Sequence, residues 1–482
     1  MTVDDECSVD DDCEAPLVCI KKLCVESDTE PTTQIIAQQL LSETCTRVDG
    51  ISDLAQPVPT DAILIGAILP LTGELSVPGK HFDQVTQMAF EEINRVDGSM
   101  GRKFVKITCD SGTSPVVAKK SAEHLRDIGV QAVLGPFSSE IVLSVYNDVL
   151  EKAGIVVVSA GANAPIISNV SADGLIWSTS LPAAREARAM AEHILHSDYQ
   201  RVAVIHRKDT WGSSMYDSFF STYCDNAGVD CTNENTFMLR SYGTSDLTTS
   251  LSAVVTDLAA WQPDVTVAFT YVEDAITFVN IVGAAGIPLG DTLWNSTFAS
   301  DLAFSLMNSS LHPLLCNIQA TAQMVPDGSV HDSFLVRYRG QFTGSDPVPY
   351  TANFYDAAYM LAYAIAAASS DANPNPTGAQ IAAAMNRLSS GEPIDAGSAQ
   401  WNTGVQKLRS SASATIDYVG VSGDVNFKGG TGSIVSPVDM IRFNVGNMSL
   451  ESMGTIYSAS DVYSAPDYSS ISDSVCTSSP QQ

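Results

Sequence analysis

Short apolar runs without polar alternation recur along this chain, and most are followed by a stretch in which apolar residues return every three or four positions. The first such unit lies at residues 61–99. Ile63 to Leu69 reads as a strand covered on both faces, as in a parallel sheet flanked by helices. Met88, Ala89, Ile93 and Val96 then mark the inner face of a helix that turns Glu91, Glu92 and Arg95 outward. Between strand and helix, Leu71-Thr72-Gly73-Glu74 makes the turn. The same pattern predicts strands at 63–69, 103–108, 131–134, 155–158, 201–206, 264–270 and 317–322. Helical patterns separate most of them, at 115–127, 139–152, 183–196, 212–227, 246–259 and 273–285. Such alternation predicts a parallel α/β sheet, and roughly 400 residues exceed one sheet, so two lobes are expected. Further on, 330–342, 351–369 and 378–389 read as helices, and the Gly-rich stretch 415–446 carries alternating strand signals.

Charge narrows the partners. The 482 residues hold 25 basic and 55 acidic side chains, a net charge of −30, which argues against nucleic acid because phosphate neutralisation needs clustered Lys and Arg. Residues 1–60 carry 13 acidic and 3 basic side chains, marking a separate solvated segment. Within it Cys7, Cys13, Cys19 and Cys24 suit two disulfides stapling a module too small for its own core. A zinc site is the rival, but the spacing C-x5-C-x5-C-x4-C lacks tight ligand pairs. Cys224 and Cys231 flank a helix end and suit a local bridge, while Cys45, Cys109, Cys316 and Cys476 stay unassigned. Ten cysteines point to an oxidising compartment. Met1-Thr2-Val3-Asp4 has neither a basic nor an apolar leader region, so an export signal is expected to have been removed, with any anchor upstream of Met1. The longest apolar run, Ala357 to Ala368, is too short to span a bilayer.

Enzyme signatures are missing: there is no G-x-S-x-G elbow and no H-E-x-x-H. Gly73 to Gly79-Lys80 has the wrong spacing for a phosphate loop and reads as a turn. His193 and His196 could chelate a metal at i, i+3, although an exposed helix face is the commoner meaning. Residues 371–375 begin like a calcium loop, but Pro376 stands where glycine is required. Binding features survive better. Ser138 and Ser139 end a strand and open a helix, where backbone N–H groups and the positive dipole end suit a carboxylate; simple helix capping explains them equally well. The next strand ends in the small-residue loop Ser159 to Pro165, whose backbone can approach a ligand closely. Trp211 and Tyr271 each follow a strand end, where they line a pocket or pack a core.

Together these positions resemble the type I periplasmic solute-binding proteins, in the leucine/isoleucine/valine-binding branch that includes receptor ligand-binding domains. The resemblance covers residues 61–450 and rests on Ile65-Gly66 with Pro70-Leu71-Thr72-Gly73, on Ala89 to Asn94, and on Gly135-Pro136 with Ser138-Ser139. Pro263-Asp264-Val265, Ala284 with Gly286-Ile287, and Tyr355-Asp356-Ala357 complete it. It implies two doubly wound Rossmann-like lobes joined by three crossing segments, closing on a ligand by hinge motion, with no catalysis and no cofactor. It also implies a site: Ser138 or Ser139 for the ligand's carboxylate, Gly161, Ala162 and Asn163 as a polar loop, and Trp211, Tyr271 and Tyr350 as an aromatic wall. Thr297 stands where amino-acid binders place an acid to pair the ammonium. A buried ammonium without a counter-charge is costly, so the solute need not be an ordinary α-amino acid unless Glu273 or Asp274 substitutes.

The expected organisation is a Cys-rich module at 1–27, a linker at 28–60 with one short helix at 35–41, lobe 1 at 61–181 and 322–415, lobe 2 at 182–321 and 416–460, and a Ser-rich tail at 461–482. The expected function is capture of a small carboxylate-bearing or polar organic solute, outside the cytoplasm in the periplasm or at the cell surface, for delivery to an ABC permease. The protein is expected to be monomeric, free of metal, and lipid-anchored only through a segment preceding Met1. A sensory ectodomain that reports the solute without transporting it is the rival.

Overall fold

The computed structural model describes residues 36–170, 174–287, 290–298, 309–323, 328–427, 432–446 and 449–468, together with the backbone of 17–20 and 23–26. That backbone is an antiparallel hairpin, β1 (Leu17–Ile20) and β2 (Leu23–Glu26), with Cys19 opposite Cys24. The pairing expected among Cys7, Cys13, Cys19 and Cys24 lies outside the described residues, as does most of the expected Ser-rich tail.

The first sheet contains β3 (Cys45–Asp49), β4 (Ile63–Leu69), β5 (Phe104–Asp110), β6 (Ala132–Leu134), β7 (Val156–Ser159) and β8 (Ile176–Ser178) in the order β3-β5-β4-β6-β7-β8. All neighbours are parallel except β3, which runs antiparallel on β5. Because β4 to β7 are covered on both faces, their sequences are almost continuous Val, Ile, Leu and Ala. Helices α1 (Ser76–Arg95), α2 (Pro115–Asp127), α3 (Ser139–Val145) and α4 (Pro165–Val170) connect them. The stretch expected to be a linker is therefore structured from residue 36 onward. Ala37, Leu40, Cys45, Val48 and Val58 are buried, and a Cys45–Cys109 disulfide ties β3 to the sheet. The short helix expected at 35–41 is a single tight turn over Ala37–Leu40.

The second sheet is entered through α5 (Ala183–Leu195). It contains β9 (Val202–Arg207), β10 (Phe237–Tyr242), β11 (Val265–Phe269), β12 (Asp291–Trp294) and β13 (Ile318–Gln323), with α6 (Thr210–Phe220), α7 (Leu247–Trp261) and α8 (Val272–Ala285) between them. The chain then returns to the first lobe as α9 (Ser329–Gln341), α10 (Thr351–Ala368), α11 (Gly378–Met385), β14 (Glu392–Asp395), α12 (Ser398–Arg409), β15 (Ile416–Gly420) and β16 (Gly423–Asp424). α10 packs along α1 and against β6 and β7. Finally β17 (Val438–Asn444) and β18 (Ser449–Tyr457) add antiparallel edges to give the order β10-β9-β11-β12-β13-β17-β18.

β15 and β16, expected in lobe 2, pair with β14 in a small separate sheet beside α9 and α12. The buried Asp356 of α10 explains their position: its carboxylate accepts from the Tyr418 hydroxyl, the Val421 and Ser422 amides and the Ser422 hydroxyl. The chain passes between the lobes after β8, between β13 and α9, and after β16. Gln323 ties these passages together. Its Oε1 accepts from the Leu181 amide and from Asn353 Nδ2, each at 3.2 Å, and its Nε2 donates to the Ser422 carbonyl at 3.1 Å.

Candidate functional site

In parallel sheets the carboxyl ends of the strands face the ligand crevice, because the helices that follow present their N-termini there. Here both sheets point such ends at one cleft. From lobe 1 come the turn after β4, the β6–α3 turn and the loop after β7. The first is pinned by Asp110 at the end of β5, whose Oδ1 accepts from the Leu71 and Thr72 amides at 3.0 and 3.1 Å. That places Glu74 at the cleft. The second contains Gly135, whose φ of +78° leaves no room for a Cβ beside the Ile68 carbonyl.

Ser138 is the N-cap of α3, and its Oγ accepts from the Ile141 amide at 3.4 Å. Capping and anion binding were the two readings of this residue; the cap is present, and the hydroxyl hydrogen still has a donor's role. Ser139 is buried, with Oγ accepting from the Ala164 amide at 3.3 Å, so the two lobe 1 loops are bonded to each other. The amides of Gly161 and Ala162 both donate to Ser159 Oγ, at 3.3 and 2.9 Å. They are occupied within the loop, whereas the first-turn amides of α3 have no intrahelical acceptor. Gly161 is required because a Cβ there would lie 2.2 Å from the Phe137 ring.

Asn163 joins the lobes. Its Nδ2 donates to the Leu181 carbonyl at 2.7 Å, and its Oδ1 accepts from Trp211 Nε1 at 3.1 Å. Trp211 leans on Tyr271 with ring centroids 5.1 Å apart, and Tyr350 meets Phe137 edge-on at 5.2 Å. The phenol of Tyr350 is within hydrogen-bonding reach of Asn163 and Ser296, and burial pushes its pKa well up, so it stays protonated. Of the nine residues singled out in the sequence, Ser138, Ser139, Gly161, Ala162 and Asn163 thus form one wall, Trp211 and Tyr271 the facing one, and Tyr350 the base. Thr297 is placed differently. Its buried hydroxyl donates to the Thr270 carbonyl and accepts from Asn295 Nδ2, so it is committed to its own loop.

Asp274 is also committed. Its carboxylate takes Arg207 at 3.0 and 3.1 Å and the Tyr242 hydroxyl at 2.8 Å. Arg207, at the end of β9, also pairs with Asp209 at 2.8 Å, stacks over Tyr271 at 4.4 Å and reaches Glu74 of lobe 1 at 2.7 Å. Burial opposes its charge, but Asp274 and Glu74 outweigh that effect and keep it protonated.

Two residues were missed in the sequence, Arg207 and Glu186, because charged side chains read as solvent-facing. Glu186 is 1% exposed. Its signal was present: Ala183, Glu186, Ala187, Met190 and Ile194 share the buried face of α5, so a carboxylate interrupts an otherwise apolar stripe. Burial holds its pKa up against hydrogen bonds from Thr321 and Ser296.

The sequence profile of the periplasmic binding protein family matches residues 62–441. The Leu/Ile/Val-binding protein BraC3 of Rhizobium johnstonii is 29% identical over 173 residues, 36% of this chain and 46% of that protein. A match of this kind spans about half the length of the curated relative. The chemotactic signal transduction system substrate-binding protein BasB of Halobacterium salinarum is 24% identical over 383 residues, 77% of this chain and 83% of that one. Among solved structures, the substrate-binding protein LivJ of Streptococcus pneumoniae, in complex with isoleucine, superposes with a TM-score of 0.64 at 17% identity, covering 81% of this chain and 99% of that one.

Proposed function

Because the chain belongs to the periplasmic binding protein family, we propose that it captures a small carboxylate-bearing solute between its lobes and delivers it to an ABC-type permease. The observation that carries this reading is the Trp211–Asn163 hydrogen bond, which brings the lobe 1 polar loops and the lobe 2 aromatic wall to one point. Ser138 and Ser139 with the first turn of α3 provide donors for a carboxylate, while Trp211, Tyr271 and Tyr350 pack the remainder. Closure of the two lobes gains contacts that the open form lacks, and affinity is that gain minus the cost of leaving the open form. Among the described residues no helix is long and apolar enough to cross a membrane. The protein acts outside the cytoplasm, as a monomer, with any membrane attachment made through a segment other than the lobes.

Likeness to BasB favours a second reading, in which the closed form docks on a signalling receptor instead of a permease. Thermal-shift measurements against amino acids, aromatic acids and dicarboxylates test the shared part of both, since a ligand that binds only the folded state raises its melting temperature. A solute that stabilises the wild type and loses about 10-fold or more in affinity in Ser139→Ala supports the site. No stabilisation by any of the three classes sinks the reading.

A further inference from the structure

We infer that the cavity beside Tyr350 is a subsite for an organic cation held by Asp439, so that the solute carries an ammonium or guanidinium group at the end of a chain, remote from its carboxylate. This rests on the solute-binding reading and narrows its ligand class; an α-amino group plays no part in it.

The cavity, of about 340 Å³, lies where one face of the second sheet meets the start of α10. Asp439 and Ile441 are two residues apart on β17 and so project from the same face. Ala322 of β13 pairs opposite Asp439, and Ser452 of β18 opposite Ile441. Pro349, Tyr350 and Asn353 close the cavity from lobe 1. Neither Ser138 nor Ser139 lines it, but Asn163 and Tyr350 do, and both belong to the solute site as well. The cavity therefore adjoins that site without sharing its carboxylate donors, and a solute that fills both is extended.

Asp439 is half-buried. Its Oδ1 accepts from the Thr455 hydroxyl at 2.7 Å and its Oδ2 from the Ser452 hydroxyl at 3.5 Å. Among the described residues no Lys, Arg or His lies within ion-pair distance of it, and none lines the cavity. Basic residues on the surrounding elements are committed elsewhere. Arg185 bonds the Ser436 carbonyl and pairs with Asp461, Arg339 in the adjoining groove pairs with Asp346 at 2.6 Å, and Arg442 belongs to the opposite face of β17. Burial pushes the Asp439 pKa up, opposed by the two hydroxyls and by no positive charge. A cation in this cavity meets a carboxylate that is not yet neutralised, where pairing gains most.

The walls decide which kind of cation. Leu181, Ile441 and Leu450 suit the methylene stem of a long side chain, and Tyr350 adds an aromatic ring, a surface organic cations favour. Burial keeps the Tyr350 phenol protonated, so Asp439 is the negative charge of the cavity. Asn353 spends its Nδ2 on the Thr179 carbonyl and Gln323 Oε1, which leaves its Oδ1 as a further acceptor. One carboxylate in such apolar walls falls short of the roughly six to eight oxygens that a calcium ion takes. The net charge of −30 on the whole chain also favours the approach of cations.

Isothermal titration of the full chain tests this with L-arginine beside L-citrulline, and 4-guanidinobutanoate beside 4-ureidobutanoate. Within each pair the shape is kept and the distal charge removed. The wild type is expected to bind at least one cationic member about 10- to 100-fold more tightly than its neutral partner. Asp439→Asn is expected to erase most of that preference while leaving the neutral member's affinity within about threefold. An unchanged preference in a folded Asp439→Asn overturns the assignment. So does a wild type that binds the neutral members as tightly, or that binds L-leucine or 3-phenylpropanoate and neither cationic solute; these outcomes need no variant to fold and leave the solute-binding reading standing. Failure of every one of these solutes to bind the wild type overturns that reading, and the cation subsite with it.

Discussion

Arg207 of lobe 2 and Glu74 of lobe 1 form an ion pair across the cleft at 2.7 Å, and its two ends lie in unequal surroundings. The Arg207 side chain is 7% exposed and also serves Asp274, which is 1% exposed; the Glu74 side chain is 45% exposed. Losing Glu74 leaves Arg207 with two carboxylates, but losing Arg207 leaves Asp274 buried without a counter-charge. Glu74→Gln should therefore cost under about 1 kcal/mol, and Arg207→Met about 3–5 kcal/mol. Denaturant unfolding separates them, and equal losses would refute the asymmetry. Solution scattering should also find the Glu74→Gln protein more open, since one cross-cleft contact is gone while Trp211–Asn163 remains.

Gly161 makes a second, steric prediction. Phe137, which a Cβ at 161 would strike, is itself held between Phe82 at 4.8 Å and Tyr350 at 5.2 Å and cannot retreat. Gly161→Ala should cost about 1–3 kcal/mol and shift the loop that carries Asn163. Truncating Phe137 makes room for the methyl group, so the double variant Phe137→Ala with Gly161→Ala should be more stable than the sum of the single losses predicts. Simple additivity in the cycle would count against the clash.

What could be read from the sequence follows from burial. Ile63–Leu69 and Pro115–Asp127 fall where the pattern places them, because a strand covered on both faces is continuously apolar and a one-sided helix is periodic. The strands that escaped are short or at an edge. Phe237–Tyr242 carries Arg240 and Ser241 because one side meets water, and Cys45–Asp49 joins the sheet antiparallel through a bonded cysteine. α12 (Ser398–Arg409) escaped too, its polar residues hiding a face anchored by Trp401. The site divides along similar lines. Loops that end strands announce themselves by small residues, but Glu186 and Arg207 are charged side chains whose burial depends on partners distant in the chain, Thr321 and Asp274.

The disulfides should differ in value. Cys45–Cys109 closes a separation of 64 residues, Cys224–Cys231 one of 7. Cys316 is also disulfide-bonded. In the chain-entropy view the longer loop stabilises by about 4 kcal/mol and the shorter by about 2.5 kcal/mol. Replacing Cys45 and Cys109 together by Ser should thus lower stability more than replacing Cys224 and Cys231. It should also loosen β3, seen as faster amide exchange over residues 45–49, whereas the second pair should affect only the segment that follows α6. A larger loss from the short loop would reject the entropic account here.

His193 provides a pH test. It was one of two histidines spaced to chelate a metal, but it is buried beside Tyr463, with Nδ1 3.2 Å from the phenol oxygen, while His196 is exposed and stacks on that ring at 4.4 Å. No metal-binding cluster of His, Cys, Asp or Glu occurs among the described residues. Burial, helped by the nearby His196, brings the His193 pKa down to about 4. The folded protein therefore keeps this imidazole neutral at pH values where the unfolded chain protonates it. Its contribution is complete above the unfolded pKa of about 6.5 and is lost as the pH falls toward 4. Between pH 7 and pH 5 that amounts to about 2 kcal/mol. Asp356, whose pKa burial raises to about 6, acts in the opposite sense over the same range, so the measurement is a difference. His193→Gln, compared with the wild type by denaturant unfolding at both pH values, should gain about 2 kcal/mol relative to the wild type on acidification. A constant difference between the two proteins would show that His193 titrates normally in the folded state.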